Sequence, residues 1–324
     1  MKISENPELQ KALEDKVNVN GIEVKYGLGG AHSAIPGIYT DIYEIDGNSL
    51  YPSIILQYKL GTTEFRAAYG EIYKDRQKFK KEGQKSKSDA YKLILNSLYG
   101  KLSDQFADNR TKAPNMALSI CLIAQQIMTY AIEQRPKDDV VLVNTDAIWC
   151  RTKPTREELD HLSKVTKVGW DVDHYDKVVI KDTNNVVCIK DGKIVKRKGC
   201  FLERCKSHNT KANIIQKAVI EYLVYNTPVE ETILTGDPID YSYFARVRKE
   251  NYFMLNEERI SDQRIRYYAA TEGDVIHRVT AKMKTTLCKD SPIKINMDLS
   301  ELNDINYDYY ADQAHKLITT ILEG

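Results

Sequence analysis

Two carboxylates each lie at the end of an apolar segment. Asp46 follows residues 42–45, which are predicted to form a short strand, and Asp146 lies in a turn between residues 140–143 and 147–149. Most carboxylates at such positions only cap a turn. Two of them side by side form the oxygen-only site that Mg²⁺ prefers. A pair of such ions can hold the attacking and leaving oxygens of a phosphoryl transfer. This chemistry requires the two strands to be neighbours.

Basic side chains lie between the two carboxylates in the sequence. Apolar residues at helical spacing predict helices over 64–81 and 89–102, separated by a polar break at 82–88. Side chains that share one face are Arg76 and Lys80 on the first helix and Lys92, Asn96 and Tyr99 on the second. A helical hairpin can thus direct three cations at one point, as a triphosphate requires, although spacing alone favours a solvated charged hairpin.

The remaining elements are predicted from periodicity and turn signals. Helices are expected over 115–134, 214–225 and 308–322, and strands over 178–189 and 192–198 around an Asp191-Gly192 turn. The segment between 226 and 307 is expected to be irregular. A domain boundary is placed near residue 205.

Composition limits the class of protein. The chain has 324 residues with 47 Lys and Arg against 46 Asp and Glu, which excludes a wholly basic nucleic-acid coat but not a local basic channel. No apolar run approaches the ~18 residues of a membrane span. The charged N-terminus does not resemble a signal peptide. Six scattered Cys predict a reduced, cytoplasmic protein.

Three segments carry a family resemblance. Residues 46–55, DGNSLYPSII, resemble motif A of the family B DNA polymerases, D-x-x-S-L-Y-P-S-I-I. Residues 92–100, KLILNSLYG, match motif B, K-x-x-x-N-S-x-Y-G, and residues 144–147, NTDA, resemble motif C, where D-T-D-S is usual. The order is that of the family. The Gly-rich residues 26–32 are similar to the linker upstream of the polymerase site in phage and mobile-element members, and residues 306–310 resemble the start of a thumb helix.

The resemblance implies an α+β right-hand polymerase with an antiparallel-sheet palm, helical-hairpin fingers and a mainly helical thumb. Residues 1–40 are expected to be a lead and Gly-rich linker, 41–63 and 103–204 the palm, 64–102 the fingers and 205–324 the thumb. The 45 residues before Asp46 are too few for the family's proofreading exonuclease. We therefore expect a stand-alone module, or part of a split enzyme whose partner is a separate exonuclease or N-terminal polymerase chain in a phage-infected bacterial host.

The resemblance also implies site residues, a cofactor and partners. Asp46 and Asp146 are the expected catalytic ligands of two Mg²⁺ ions, with Mn²⁺ as an acceptable substitute, and the substrates are a dNTP and a DNA primer-template. The expected nucleotide-binding residues are Ser49, Leu50, Tyr51, Arg76, Lys80, Lys92 and Asn96. Tyr51 is expected to exclude a ribose 2′-hydroxyl. Tyr99 and Gly100 are expected at the nascent base pair, and Gly29, Gly30, Lys196 and Lys198 at the DNA.

Three departures from the family pattern leave alternatives open. Asn144 replaces an Asp and Ala147 a Ser in motif C, and the family's K-x-Y element is not recognisable in residues 183–187. Because Asn keeps a carbonyl oxygen but no charge, we expect weakened rather than abolished activity. The alternative is a catalytically weak or silent palm that acts as a DNA-binding or structural subunit of a split polymerase. Initiation from a protein hydroxyl stays undecided.

Overall fold

The computed structural model describes residues 16–27, 30–102, 113–202, 210–248, 250–296 and 302–323. The chain divides into two compact units. Unit 1 contains the described residues of Met1–Ile35, Tyr39–Asp176 and Lys190–Gly192. Unit 2 contains those of Pro36–Ile38, Lys177–Ile189 and Lys193–Gly324.

Unit 1 is built on an antiparallel sheet. Its strands are β1 (Lys16–Val19), β2 (Ile22–Gly27), β3 (Gly30–Ala34), β4 (Gly37–Gly47, in this unit from Tyr39), β5 (Val140–Asn144), β6 (Ala147–Cys150) and the first part of β7 (Trp170–Asp182). Their order is β1-β2-β3-β5-β6-β4-β7. The ladders β1–β2, β2–β3, β3–β5, β5–β6 and β4–β6 are all antiparallel. The predicted antiparallel sheet is confirmed.

The strands that carry the two carboxylates form the centre of this sheet. Val141, Leu142 and Val143 of β5 and Ile148 and Trp149 of β6 are completely buried, as expected for a short β-branched and aromatic run in a sheet core. The predicted strand-turn-strand is therefore correct. β4 extends beyond the predicted 42–45. The prediction missed residues 37–41 because they are partly or fully exposed and are interrupted by polar residues.

Five described helices belong to unit 1: α1 (Leu50–Gln57), α2 (Thr63–Lys81), α3 (Lys85–Leu102), α4 (Pro114–Glu133) and α5 (Arg156–Thr166). α2 and α3 form the predicted helical hairpin. Near its base Tyr69 Oη donates to the Leu95 carbonyl at 3.5 Å. Near its tip the rings of Phe79 and Tyr91 meet edge to face, 5.2 Å apart. α3 begins before the predicted residue 89, because Gly83 at φ +70° allows a tighter reversal.

α4 packs its apolar face into the core of unit 1. Its buried side chains are Ala117, Ile120, Cys121, Ala124, Ile127, Met128, Ala131 and Ile132. By length and composition alone, α4 is the one helix among the described residues that is long and apolar enough to cross a membrane. The spacing of its buried residues is that of an amphipathic core helix.

Unit 2 combines helices with three groups of strands. It contains the rest of β7, β8 (Asn185–Lys190, in this unit to Ile189), β9 (Lys193–Arg197), α6 (Asn213–Tyr225), α7 (Val229–Leu234), β10 (Tyr243–Arg246), β11 (Tyr252–Leu255), β12 (Glu258–Ile260), β13 (Arg264–Asp274), β14 (Ile276–Val279), β15 (Lys284–Thr286), β16 (Ile293–Ile295) and α8 (Tyr307–Glu323). Two small sheets have the orders β10-β13-β16 and β12-β11-β14-β15.

Three predictions for unit 2 are wrong. The segment between 226 and 307, expected to be irregular, contains β10 to β16, so the described part of residues 205–324 is not mainly helical. Except for β13 these strands have only three or four residues, too few for a period-two pattern to be recognised. The predicted strand 178–189 is two strands, because the Asp182 carboxylate accepts from the Asn184 amide at 2.9 Å and closes a turn.

Candidate active site

Asp46 and Asp146 lie next to each other in unit 1. Asp46 of β4 is paired with Ala147 of β6, and the Gly47 amide donates to the Asp146 carbonyl at 2.8 Å. Asp46 is half-buried and Asp146 is exposed. Both residues line one cavity of about 360 Å³. β4, which carries Asp46, and β6, which follows the turn with Asp146, are therefore neighbours, as the proposed metal chemistry requires.

The turn that carries Asp146 is strained and tightly held. Thr145 has φ +60°, a left-handed conformation that β-branched residues rarely adopt. Its amide donates to the Ala31 carbonyl of β3 at 3.0 Å. A Cβ on Gly30 would lie 3.3 Å from the Thr145 Cα, so glycine permits this close approach. Gly30, expected at the DNA, therefore contacts the turn, and Gly29 lies outside the described residues.

The segment after Asp46 brings a helix N-terminus to the cavity. The Asn48 amide donates to the Gly169 carbonyl at 2.8 Å, and Ser49 turns the chain with φ +52°. α1 then begins at Leu50, with Pro52 in its first turn. The first amides of a helix lack intrahelical acceptors, so this end of α1 favours an anion.

Cations from α2 and α3 line the same cavity. Arg76 Nη1 donates to the Ser49 hydroxyl, and Arg76 Nε is buried without a hydrogen-bond acceptor among the described residues. Lys80 Nζ lies 3.0 Å from the Asp171 carboxylate, and both side chains are about half exposed. Arg76 is thus held in place, whereas Lys80 has a solvent-exposed partner that it can exchange at low cost.

Tyr51 and Tyr99 meet at the cavity, with ring centroids 4.6 Å apart and planes inclined by 51°. Burial raises the pKa of both hydroxyls. For Tyr51 the neighbouring Tyr99, Cys121 and Asp146 raise the pKa further. Both phenols are therefore neutral at physiological pH, and their rings form a fixed aromatic wall.

The structure brings most predicted site residues together. Those that line the cavity are Asp46, Ser49, Leu50, Tyr51, Arg76, Lys80, Lys92, Asn96, Tyr99 and Asp146. Gly100 follows Tyr99 without lining the cavity. Lys196 in β9 and Lys198 just after it belong to unit 2. Asn48, Pro52 and Thr145 also line the cavity and are not among the predicted site residues. Their position within the motif A-like segment 46–55 and the motif C-like segment 144–147 could have identified them as site residues.

The donor set fits magnesium. Among the described residues no group of three or more His, Cys, Asp and Glu side chains could form a ready-made metal site. Two carboxylates at one cavity instead suit Mg²⁺, which keeps several waters and is bound by one or two carboxylates together with substrate phosphates.

Comparisons with known proteins found similarities in sequence and in fold. No family model matches the chain. A stretch of 155 residues, 38% of the chain, is 28% identical to DNA polymerase II of Escherichia coli K12 and spans 20% of that protein. The fold is similar to the family B DNA polymerase of the hyperthermophilic archaeon Pyrobaculum calidifontis, with a TM-score of 0.56 and 15% identity. Both similarities are to DNA polymerases.

The structural similarity covers 90% of this chain and 46% of the archaeal chain. The chain thus spans less than half the length of the proteins it matches. The expected mixed helix and sheet fold is confirmed. The palm, fingers and thumb assignments and the residue roles stay predictions.

Proposed function

We propose that this chain is the polymerase part of a DNA-directed DNA polymerase, which adds deoxynucleotides to a primer 3′ end. The observation that carries the proposal is one cavity lined by Asp46 and Asp146 together with Arg76, Lys80 and Lys92. Carboxylates hold divalent cations and the basic side chains hold phosphates, so a nucleoside triphosphate with its metal ions matches both sets. The two similarities to DNA polymerases support this reaction class.

In this proposal Asp46 and Asp146 bind two Mg²⁺ ions, or Mn²⁺ in their place. When bound, such ions lower the pKa of the attacking 3′-hydroxyl and neutralise charge on the leaving pyrophosphate. The ladder that pairs Asp46 with Ala147 keeps the backbones of Asp46 and Asp146 side by side.

The basic side chains and the start of α1 orient the triphosphate. Arg76 is already placed by the Ser49 hydroxyl, so little side-chain entropy is lost when phosphate binds. Phosphoryl transfer needs positioning and charge stabilisation and no covalent enzyme intermediate. These residues therefore supply what the reaction requires of the protein.

The remaining contacts select the nucleotide and hold the DNA. In the same proposal Tyr51, which packs against Tyr99, excludes a ribose 2′-hydroxyl, and Asn96, Tyr99 and Gly100 line the nascent base pair. Contacts of Gly29, Gly30, Lys196 and Lys198 with the primer-template belong to the same proposal.

The second candidate is a palm that binds DNA without catalysis, and Asn144 is its motivation. Asn144 Oδ1 accepts from the Thr145 hydroxyl at 3.3 Å, and Asn144 is not among the residues that line the cavity. The replacement of Asp by Asn at position 144 therefore removes a charge outside the cavity lining. This favours the enzyme over the silent subunit.

Primer extension with Mg²⁺ tests the proposal. We compare the wild type with Asp46→Asn and Asp146→Asn, which keep side-chain volume. The control is Asp160→Asn, whose exposed ion pair with Arg156 lies on α5. The expected result is a loss of at least about 10²–10³-fold in kcat for the first two variants and none for the control.

Primer-template binding is measured on the same samples by fluorescence anisotropy. Equal extension by all variants contradicts the proposed site. Binding without extension, in the wild type as well, contradicts the enzyme and supports the silent subunit.

A further inference from the structure

The turn at Thr145 and Asp146 needs external support. Thr145 is the first residue of a two-residue turn between β5 and β6 and has φ +60°. Glycine is the residue that adopts this conformation without strain, and a β-branched side chain is among the least suited to it. Strained backbone of this kind persists only where the surrounding structure holds it.

The support comes from the neighbouring strand, β3. Its Ala31 carbonyl accepts from the Thr145 amide at 3.0 Å. His32 is paired with Asn144 in the β3–β5 ladder. The Thr145 hydroxyl lies 3.2 Å from His32 Nε2 and 3.3 Å from Asn144 Oδ1. The Thr145 backbone is therefore held by β3, and its side chain is held by His32 of β3 and Asn144 of β5.

The imidazole is suited to this role. Burial lowers the pKa of His32, so the ring is neutral at physiological pH and adds no positive charge beside the carboxylates. A neutral imidazole offers one donor and one acceptor. Nε2 can therefore donate to the Thr145 hydroxyl while that hydroxyl donates to Asn144 Oδ1, or it can accept from the hydroxyl instead.

We infer that His32 is a positioning residue, which acts through the Thr145 hydroxyl to hold the strained turn that presents Asp146 to the cavity. The inference rests on the proposed function, because it assigns His32 to the geometry of a catalytic carboxylate. His32 lies outside the three motif-like segments and does not line the cavity.

Kinetics of His32→Ala and His32→Gln test the role, with the exposed His161→Ala on α5 as control. Because Asp146 and not the triphosphate site is displaced, kcat is expected to fall about three- to tenfold for His32→Ala. KM for the dNTP is expected to change less than about twofold. Gln can hydrogen-bond to the Thr145 hydroxyl and is expected to restore at least half of kcat.

Coupling to Thr145 is tested with Thr145→Val, which keeps the branched shape and removes the hydroxyl. This variant is expected to lower kcat as much as His32→Ala, and the double variant no further than either one alone. If His32→Ala fails to fold, the kcat values of His32→Gln and Thr145→Val test the role of His32 without it. A kcat unchanged in Thr145→Val, or fully additive losses, would overturn the inference.

Mn²⁺ binding measured by electron paramagnetic resonance separates this inference from the proposed function. His32→Ala is expected to weaken Mn²⁺ binding severalfold, with no change for His161→Ala. If the wild type binds Mn²⁺ but does not extend primers, the proposed function fails while the weaker binding still supports His32 as a positioning residue. Equal Mn²⁺ affinity in wild type and His32→Ala overturns it.

Discussion

At the scale of single residues, the basic side chains of the cavity differ in how they are prepared. Arg76 is fixed by Ser49 and has a buried Nε without an acceptor among the described residues, so a phosphate oxygen there would meet a donor that has already lost its water. Lys80 is paired with Asp171 at 3.0 Å in a solvated position. Because exposed ion pairs contribute about 0–1 kcal/mol, binding of a triphosphate can replace this pair.

The aromatic wall gives a prediction for sugar selection. In Tyr51→Val the ring that packs against Tyr99 is lost and the cavity gains room beside the sugar. We expect incorporation of ribonucleotides relative to deoxynucleotides to rise at least about tenfold. Steady-state kcat/KM for dNTP and rNTP measures the ratio. Tyr51→Phe keeps the ring and should keep the discrimination, so a rise in that variant would assign selection to the hydroxyl.

At the scale of elements, a buried ion-pair network joins the C-terminal end of α4 to β5, β6 and α5. Arg135 Nε lies 3.0 Å from Asp139 Oδ2, and Nη1 lies 3.2 Å from Glu158 Oε2. Asp139 also accepts from the Thr152 amide at 2.8 Å. Glu158 belongs to the capping box that begins α5 with Thr155. The network fixes the end of the β5–β6 hairpin opposite to the turn with Asp146.

Removal of one partner should therefore destabilise unit 1. Arg135 and Asp139 are 5% and 4% exposed, so Asp139→Ala leaves a buried guanidinium with an unpaired donor. The free energy of unfolding is expected to fall by about 3–5 kcal/mol, measured by urea denaturation. Asp160→Ala removes an exposed pair with Arg156 and should cost less than about 1 kcal/mol. A similar loss in both variants would show that the network contributes no more than a surface pair.

At the scale of the whole molecule, the net charge of +1 hides an uneven distribution. Residues 63–102, which form the α2–α3 hairpin, contain ten Lys and Arg against five Asp and Glu. The rest of the chain is correspondingly acidic. In the proposed function, this concentration of positive charge at the hairpin attracts phosphates to the cavity and raises their association rate. The net charge of the whole chain does not reveal this local excess.

The second feature at this scale is the use of tyrosine. The chain has 21 Tyr and 6 Phe, and unit 2 packs several of these tyrosines in its core. The rings of Tyr243 and Tyr267 stack at 5.2 Å. Tyr310 Oη donates to the Tyr241 carbonyl at 2.6 Å and accepts from the Ala269 amide at 2.8 Å. The high Tyr content is thus in part structural, because these hydroxyls satisfy buried backbone groups.

This core predicts alkaline instability. Burial raises the pKa of Tyr267, with Cys288 and Tyr309 adding to the effect. The unfolded tyrosine ionises above about pH 10 while the folded one stays protonated. The contribution of Tyr267 to stability is therefore complete below about pH 10. The free energy of unfolding falls as the pH rises above this value.

Tyr267→Phe should make this decline shallower, as measured by urea denaturation between pH 8 and 11. Tyr225→Phe replaces a tyrosine that is 47% exposed and should leave the decline unchanged. An identical pH dependence in Tyr267→Phe would contradict the assignment.

The sequence by itself determined the local elements of the candidate site and the chemistry of their side chains. The sequence predicted the β5–β6 turn and the α2–α3 hairpin from the periodicity of apolar residues and from turn residues, because these signals act over a short stretch of chain. The motif-like segments also placed Asp46, Lys92 and Asp146 in one predicted site, and helical spacing added Arg76 from the helix between the first two segments.

The tertiary structure decided what depends on contacts distant in sequence. The pairing of Asp46 with Ala147, the approach of β3 to Thr145 and the contact of Lys80 with Asp171 join residues separated by about 90 or more positions. No local pattern encodes such contacts, since they arise from the burial of whole elements against one another. For the same reason the short strands of unit 2 escaped prediction, because a strand of three residues is defined by its partner and not by its own sequence.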